Sequence, residues 1–348
     1  MTKRTRYFLA GSAATMVAGL TVGLVAFKLG GPALFASRSG PAELSYVPAD
    51  ASVVAFANVR EVMDSELRQQ LKQALPATAH EEGQKEFQEQ TGIDIERDID
   101  HVVAAFTAAG TGEPNGLVVA RGRFNTTQLE TLAREHGGVV EDYKGKRLVT
   151  VSEHKNADGT TTSDHRGPHA VTLAFLEPDL VAIGSDQAIK TSIDAQLSAH
   201  SITSNDEMME LVSQIDSGNN AWAVGRFDAI ASHAKLPQEI QSRIPAIQTF
   251  AVMAHVDGGL SGTLRAEARD DQSAENLRQV INGLLALGRM QGQNDPKVAA
   301  MMQSLQTSGS GKTVALSFAV PAEIFQMIHN MHNGNGHAAE LPKALHQR

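Results

Sequence analysis

No cysteine occurs in the 348 residues, which excludes disulfides, thiolate catalysis, cysteine-ligated metals and a lipoprotein-type anchor. That absence does not fix a compartment, because oxidising locations permit disulfides without requiring them. Aromatic side chains are scarce, at 5% of the chain with Trp222 the sole tryptophan. The core must therefore be built from Ala, Val, Leu and Ile, and aromatic platforms for bases or sugars are disfavoured. Positive charge is also in deficit, with 30 Lys and Arg against 39 Asp and Glu, a formal net charge of -9. Four of those bases, Lys3, Arg4, Arg6 and Lys28, precede position 29 with no acid beside them, so 26 bases and 39 acids remain and the rest carries -13. A globular part of that sign is repelled by nucleic-acid phosphates, and nucleic acid is not an expected partner.

What the chain does have, at its start, is a long uncharged run. Residues 7–27 are 21 consecutive residues without a formal charge, enough to cross roughly 30 Å of hydrocarbon at about 1.5 Å per helical residue. The bases ahead of it favour a cytoplasmic N-terminus. The expectation is a membrane partner through residues 7–27: a transmembrane helix or signal-anchor of the inner (cytoplasmic) membrane, single-pass, with an extracytoplasmic, periplasmic bulk. A cleaved signal competes, because the run is rich in Gly, Ala, Ser and Thr and only moderately apolar, although no A-x-A site follows. Arg6-Tyr7-Phe8-Leu9 also fits half of a twin-arginine signal, with Thr5 where the other arginine belongs. Gly11, Thr15, Gly19 and Gly23 recur every fourth residue; a homodimer through Gly19 and Gly23 stands beside the plain reading that glycine is common in such helices.

Beyond the run, Gly30-Gly31-Pro32 and Ser37-Arg38-Ser39-Gly40-Pro41 break periodicity. The division expected is 1–28 anchor or signal, 29–45 linker, 46–200 first α+β domain, 201–331 second α+β domain and 332–348 flexible tail. In the first domain, residues 52–59 read as a strand, and Met63, Leu67, Leu71 and Leu75 space a helix that Pro76 stops, with a polar helix over 80–90. Strands at 102–109 and 117–123 lead to a helix with Asn125 as N-cap and Gln128 as its capping-box partner. A hairpin follows through Lys144-Gly145-Lys146, then a polar loop over 155–168, and strands at 169–176 and 180–184 turning at Glu177-Pro178-Asp179. Ser204 with Glu207 reads as a further capping box. In the second domain, strands at 247–256 and 260–268 around Asp257-Gly258-Gly259 put Val252 and Ala254 opposite Leu264 and Gly262. A helix at 273–288, a shorter one near 297–305 and a strand at 313–320 complete it. Both halves read strand, helix, strand, strand, helix, strand, the split order of a ferredoxin-like unit. The fold class expected is therefore α+β: an N-terminal transmembrane helix, then two α/β-sandwich-like halves, with ferredoxin-like βαββαβ repeats as the suggested form. Gly122-Arg123-Phe124-Asn125 and Gly225-Arg226-Phe227-Asp228 echo one another at strand-to-helix junctions.

Motifs that carry chemistry fail on inspection. Ser308-Gly309-Ser310-Gly311-Lys312-Thr313 resembles a phosphate loop, but Gln306 stands where the first glycine belongs and a strand, not a helix, follows. His154, His165 and His169, and likewise His329, His332 and His337, are metal-binding residue types with no carboxylate or thiolate completing an established spacing. Asn156-x-Asp158-Gly159 resembles the middle of a calcium loop whose end positions are His154 and His165. His255 and Ser261 face each other on the expected hairpin near Asp257, on what reads as an open solvent face with no oxyanion site. No catalytic residue, cofactor site or metal site is assigned.

The basic start and glycine-rich run, Tyr46-Val47-Pro48-Ala49-Asp50, Thr91-Gly92-Ile93-Asp94 with Asp98-Ile99-Asp100, and Gly184-Ser185-Asp186 together make the chain resemble an uncharacterised group of bacterial envelope proteins with a single N-terminal membrane anchor. The resemblance implies no activity and no site residue. The function expected is a non-catalytic binding or scaffold protein of the cell envelope with an envelope protein as partner. The alternatives are an extracytoplasmic hydrolase whose site is assembled from distant residues, and a carrier of a small apolar ligand.

Overall fold

The computed structural model describes residues 40–74, 85, 88, 89, 91–108, 115–135, 138–151, 171–231, 247–291, 296–322 and 324. A 3-10 turn at Ala42–Tyr46 leads into β1 (Val53–Asn58), α1 (Val59–Met63), α2 (Glu66–Ala74), α3 (Ile95–Asp98), β2 (Ile99–Thr107), β3 (Asn115–Gly122) and α4 (Thr126–Glu135). Four strands follow, β4 (Val139–Tyr143), β5 (Lys146–Val151), β6 (Val171–Glu177) and β7 (Leu180–Gly184), then α5 (Asp186–Leu197) and α6 (Asp206–Ser213). The remainder is β8 (Ala221–Arg226), α7 (Phe227–Ala231), β9 (Ile247–Val256), β10 (Gly259–Ala268), α8 (Asp271–Gln291), α9 (Pro296–Ser304), β11 (Gln306–Ser308) and β12 (Thr313–Pro321).

All twelve strands join one sheet in the order β11-β12-β10-β9-β8-β1-β2-β3-β7-β6-β5-β4, and every neighbouring pair is antiparallel. β1 lies in the middle, between β2 and β8, and its unbroken apolar run Val53-Val54-Ala55-Phe56-Ala57 suits a strand covered on both faces. On one face Val54, Val103, Val119, Ala182 and Val224 pack with Leu44 of the 3-10 turn, Ile189 and Ile193 of α5, and Met208 and Val212 of α6. On the other, Val59 and Met63 of α1 meet Val102, Val118 and Val181, and Ala229 and Phe227 of α7 meet Val53 and Phe250.

The expected pair of sandwich-like halves with ferredoxin-like repeats is thus corrected. A split βαβ needs parallel neighbours joined by a crossover, whereas here each chain reversal ends on an antiparallel neighbour. What repeats is a different move. In the first part, β1, a short helix and the β2–β3 hairpin are followed by α4, a jump to the edge strand β4 and a return that pairs β7 with β3. The second part runs β8, α7, the β9–β10 hairpin, α8 and α9, the edge strand β11, and β12 pairing with β10. Strand and helix order in the sequence is compatible with both topologies, and the choice lies in which strands pair.

The echoed Gly-Arg-Phe words have a common cause. A Cβ on Gly122 would run into the carbonyl oxygen of Asp98, and one on Gly225 into that of Ser52. The next residue's N–H, from Arg123 or Arg226, donates to that same carbonyl at 2.7 and 2.9 Å. Each word is a close strand-to-strand approach that only glycine admits.

Several local expectations meet their structure. Asn125 Oδ1 accepts from the Gln128 N–H at 3.1 Å while its amide reaches Gln128 Oε1 at 3.3 Å. The hairpin expected through Lys144-Gly145-Lys146 is present but tighter: Lys146 already pairs with Tyr143, and Lys144 and Gly145, with φ of 53° and 78°, form a two-residue type I′ turn. The Val252–Leu264 and Ala254–Gly262 pairings are present in β9–β10. Two expectations shift. The helix spaced by Met63, Leu67, Leu71 and Leu75 is broken at Asp64-Ser65, where the Ser65 hydroxyl caps α2 by accepting from Arg68 N–H at 3.2 Å. Asn205, not Ser204, caps α6, because Ser204 is used in a preceding 3-10 turn.

The single-pass inner-membrane topology is also corrected. Among the described residues no helix is long and apolar enough to cross a membrane. Residues 7–27 with Gly19 and Gly23, on which the transmembrane helix, the signal-anchor and the homodimer rested, lie outside the described residues.

Candidate functional site

The residues that looked most chemical are spent on the backbone. Ser308-Gly309-Ser310-Gly311-Lys312-Thr313 is the reversal between β11 and β12, with φ of +98° at Gly309 and +55° at Gly311. A Cβ on Gly309 would meet the carbonyl oxygen of Thr313. Lys312 is exposed, and its carbonyl accepts from Ala268 N–H at 2.9 Å. Ser261 does pair with His255 across β9–β10. Yet His255 Nδ1 lies 2.7 Å from Gly218 O, and Asp257 sits exposed in the turn with its N–H on Gly259 O. The neighbouring Asn220 is fully buried; its side chain accepts from Val256 N–H and donates to Val256 O, both at 3.1 Å, extending the ladder by imitation. His154, His165, His169, His329, His332 and His337, and the calcium-loop lookalike, lie outside the described residues. Among the described residues no group of three His, Cys, Asp or Glu could hold a metal.

A charged cluster that sequence reasoning missed lies at the end of β3. Arg121, 24% exposed, donates to Glu43 at 2.5 Å, Asp179 at 2.6 Å and Glu177 at 3.2 Å, and Glu43 is only 3% exposed. Tyr46 donates its hydroxyl to Glu177 at 3.1 Å. Burial, with the Glu177 charge adding, pushes the Tyr46 phenol up to about 12. Burial works against the Arg121 charge, but the hydrogen bonds it donates to Glu43 and Asp179 outweigh it and its pKa rises. Every charge is answered, so the cluster latches the 3-10 turn to the sheet and leaves no group free for proton transfer. No local spacing signals it, because positions 43, 121, 177 and 179 meet only in three dimensions.

Glu61 is the opposite case. It follows the Asn58 cap of α1, and its Oε2 is buried without a hydrogen-bond partner among the described residues. Burial, then the nearby Asp64 charge, raises its carboxyl to about 7.

A cleft of about 410 Å³ runs between α8 and β11, lined by Arg278, Asn282, Arg289, Thr307, Ser308 and Gly309 among others. Most of its charged and amide groups are engaged, although Arg278 Nε is buried without a partner among the described residues. Arg278 pairs with Glu275 at 3.1 Å and donates to the carbonyls of Gly311 and Thr313. Arg289 donates to those of Met302 and Leu305, and Thr307 to Asn282 at 2.8 Å. The lining holds hydroxyls but no His, Asp or Glu to act as a base. This is a clamp that fixes the last strand pair to α8.

The outward face of α8 has no such explanation. Ala274, Leu277 and Ile281 pack inward on Ala268 and Val314, and Leu285 is buried near the cleft. Val280, Leu284, Leu287 and Met290 are 36, 64, 52 and 69% exposed, and they are four of the six exposed large hydrophobics among the described residues. The helix is apolar on two sides, whereas a surface helix normally turns a polar face outward. That pattern was legible in residues 273–290, had the periodicity been followed for a second stripe. The stripe carries no charge: Asp271, Glu275, Arg278 and Arg289 all fall on other sides of the helix.

The residues behind the family resemblance do structural work. Tyr46 O and Val47 O accept from Ser192 Oγ and Ile202 N–H, and Ala49 O from the Asn205 amide. Asp94 and Ser185 cap α3 and α5. Gly184 leaves room for Gly116 O, and Gly92 adopts a φ of +73°. No curated protein and no solved structure is significantly similar to the chain. Residues 9–286, most of the chain, match the family described as "Protein of unknown function (DUF3352)", and the chain belongs to that family.

Proposed function

We propose that this is a non-catalytic binding protein that engages another protein surface through the outward face of α8. The observation that carries the reading is the exposed row Val280, Leu284, Leu287 and Met290 on a helix already anchored by its adjoining apolar side. Exposed apolar side chains are ordinary when scattered, but a contiguous, uncharged row on one rigid helix is the form an interaction surface takes. A hydrolase or an apolar carrier finds less support: Arg121 and Arg278 are paired with carboxylates, and the α8–β11 cleft lacks a base and is not an apolar enclosure.

Site-specific photocrosslinking tests this. A photoreactive residue at position 287 is expected to give a discrete protein adduct in producing cells, whereas one at the exposed position 131 on α4 gives none. No adduct from either 284 or 287 overturns the reading.

A further inference from the structure

We infer that the surface seated on the outward face of α8 is the same helix of a second copy, running antiparallel; this rests on the binding reading above. The spacing favours a helix as partner. Asn276, Val280, Gly283, Leu287 and Met290 recur at alternating four- and three-residue steps, the 3.5-residue period of a seam that interlocks with another helix. Leu284 borders that seam and stands beside Gly283, a large side chain next to a missing one.

Charge permits a copy of this chain, since interface cores are depleted in charge and this stripe carries none. Two copies of a chain at -9 repel at most approaches. On the α8 stripe they meet through Asn276, Val280, Gly283, Leu284, Leu287 and Met290, none of them charged.

Two-fold symmetry then fixes a self-complementary register. With the axis between positions 283 and 284, Leu284 enters the space above the partner's Gly283, and Val280 meets the partner's Leu287. Antiparallel helices also oppose their dipoles favourably. A helix of 21 residues is roughly 31 Å long. A single helix pair of that length lies at the low end of specific interfaces, so the dimer is weak, with a dissociation constant on the order of tens of micromolar.

The full chain is measured by sedimentation velocity from about 1 to 200 µM, a range that brackets that affinity. Weight-average mass is expected to rise from the monomer's most of the way toward the dimer's across the range, and Leu284→Glu and Leu287→Glu each to weaken association more than about 10-fold. Both positions are exposed, and an unchanged unfolding midpoint shows that the fold is kept. The absence of native cysteine permits a second, independent readout of register. On mild oxidation Leu284→Cys is expected to crosslink with itself, and Val280→Cys with Leu287→Cys but not with itself. Self-crosslinking at all three positions would mean parallel helices and overturn the proposed pairing. A chain that stays monomeric to 200 µM while position 287 crosslinks to a different protein overturns the second-copy inference and leaves the binding reading standing. An intramolecular adduct from position 287 on a monomer, showing the stripe covered by another segment of this chain, overturns both.

Discussion

Replacing Glu61 with Gln is expected to stabilise the protein above neutral pH and to do nothing in acid. Glu61 Oε2 is buried without a partner, and burial followed by the Asp64 charge holds its carboxyl near 7 instead of 4.5. The folded state thus keeps a proton that the unfolded chain releases, so stability is highest below about 4.5, falls as pH rises from there to about 7, and is flat beyond. At about 1.4 kcal/mol per pH unit, such a carboxyl costs up to about 3 kcal/mol at pH 8 if fully shielded; Glu61 is only part-buried, and screening brings the expected cost to roughly 1–2 kcal/mol. Glu61→Gln imitates the protonated form at every pH. Urea unfolding followed by the fluorescence of Trp222, the lone and buried tryptophan, should show the two proteins nearly coincident at pH 4 and the variant ahead by that amount at pH 8. Asp64→Asn, removing the second cause, should recover a smaller part. A constant difference at all pH values, or a variant less stable at pH 8, would refute the account of Glu61 as an unpaired carboxyl.

Arg121→Met leaves Glu43 buried without its cation and should cost about 3–5 kcal/mol in urea unfolding, whereas the double variant with Glu43→Leu should recover much of that, since an apolar pair needs no partner; equal loss in single and double variants would show that the charges do not act as a unit. Gly225→Ala should cost about 2–4 kcal/mol, because its Cβ would collide with Ser52 O in the central β1–β8 pairing, while Gly145→Ala meets open space and should cost only about 1 kcal/mol for its positive φ. Asn220→Ala strips both bonds from Val256 and should cost about 2–4 kcal/mol, with faster amide exchange confined to the start of β8 and the end of β9. Lys312→Ala should leave ATP binding undetectable by calorimetry, as in the parent, because the glycines around it serve a strand reversal.

What could be read from sequence was what neighbours along the chain decide. The Asn125–Gln128 cap and the β9–β10 register depend on residues a few positions apart, and each is as its pattern required, while the expected Lys144-Gly145-Lys146 loop is one residue shorter. Pairing over long separations was not legible. Val53-Val54-Ala55-Phe56-Ala57 says that β1 is buried on both faces, but nothing in it says that β8, some 170 residues on, is its neighbour. The Arg121 cluster has the same cause: one arginine and three acids from distant segments look like ordinary surface charges until the fold gathers them.

The outward face of α8 follows from an imbalance between the two repeated strand–helix units. In the first, α4 has 10 residues and lies over β4 and β5; its exposed side is polar, with Glu130 bridging Arg134 and Arg147. At that edge the sheet extends three strands beyond β7. In the second unit the sheet extends past β12 by β11 alone, three residues long, while the covering helix has 21. Helix α8 therefore outruns the strands available beneath it, and the described structure compensates with α9 and the arginine clamps on one flank only. A helix that merely capped a short sheet edge would be expected to turn polar on its other flank, as α4 does. That α8 instead carries Val280, Leu284, Leu287 and Met290 there is the departure on which the proposed interface rests.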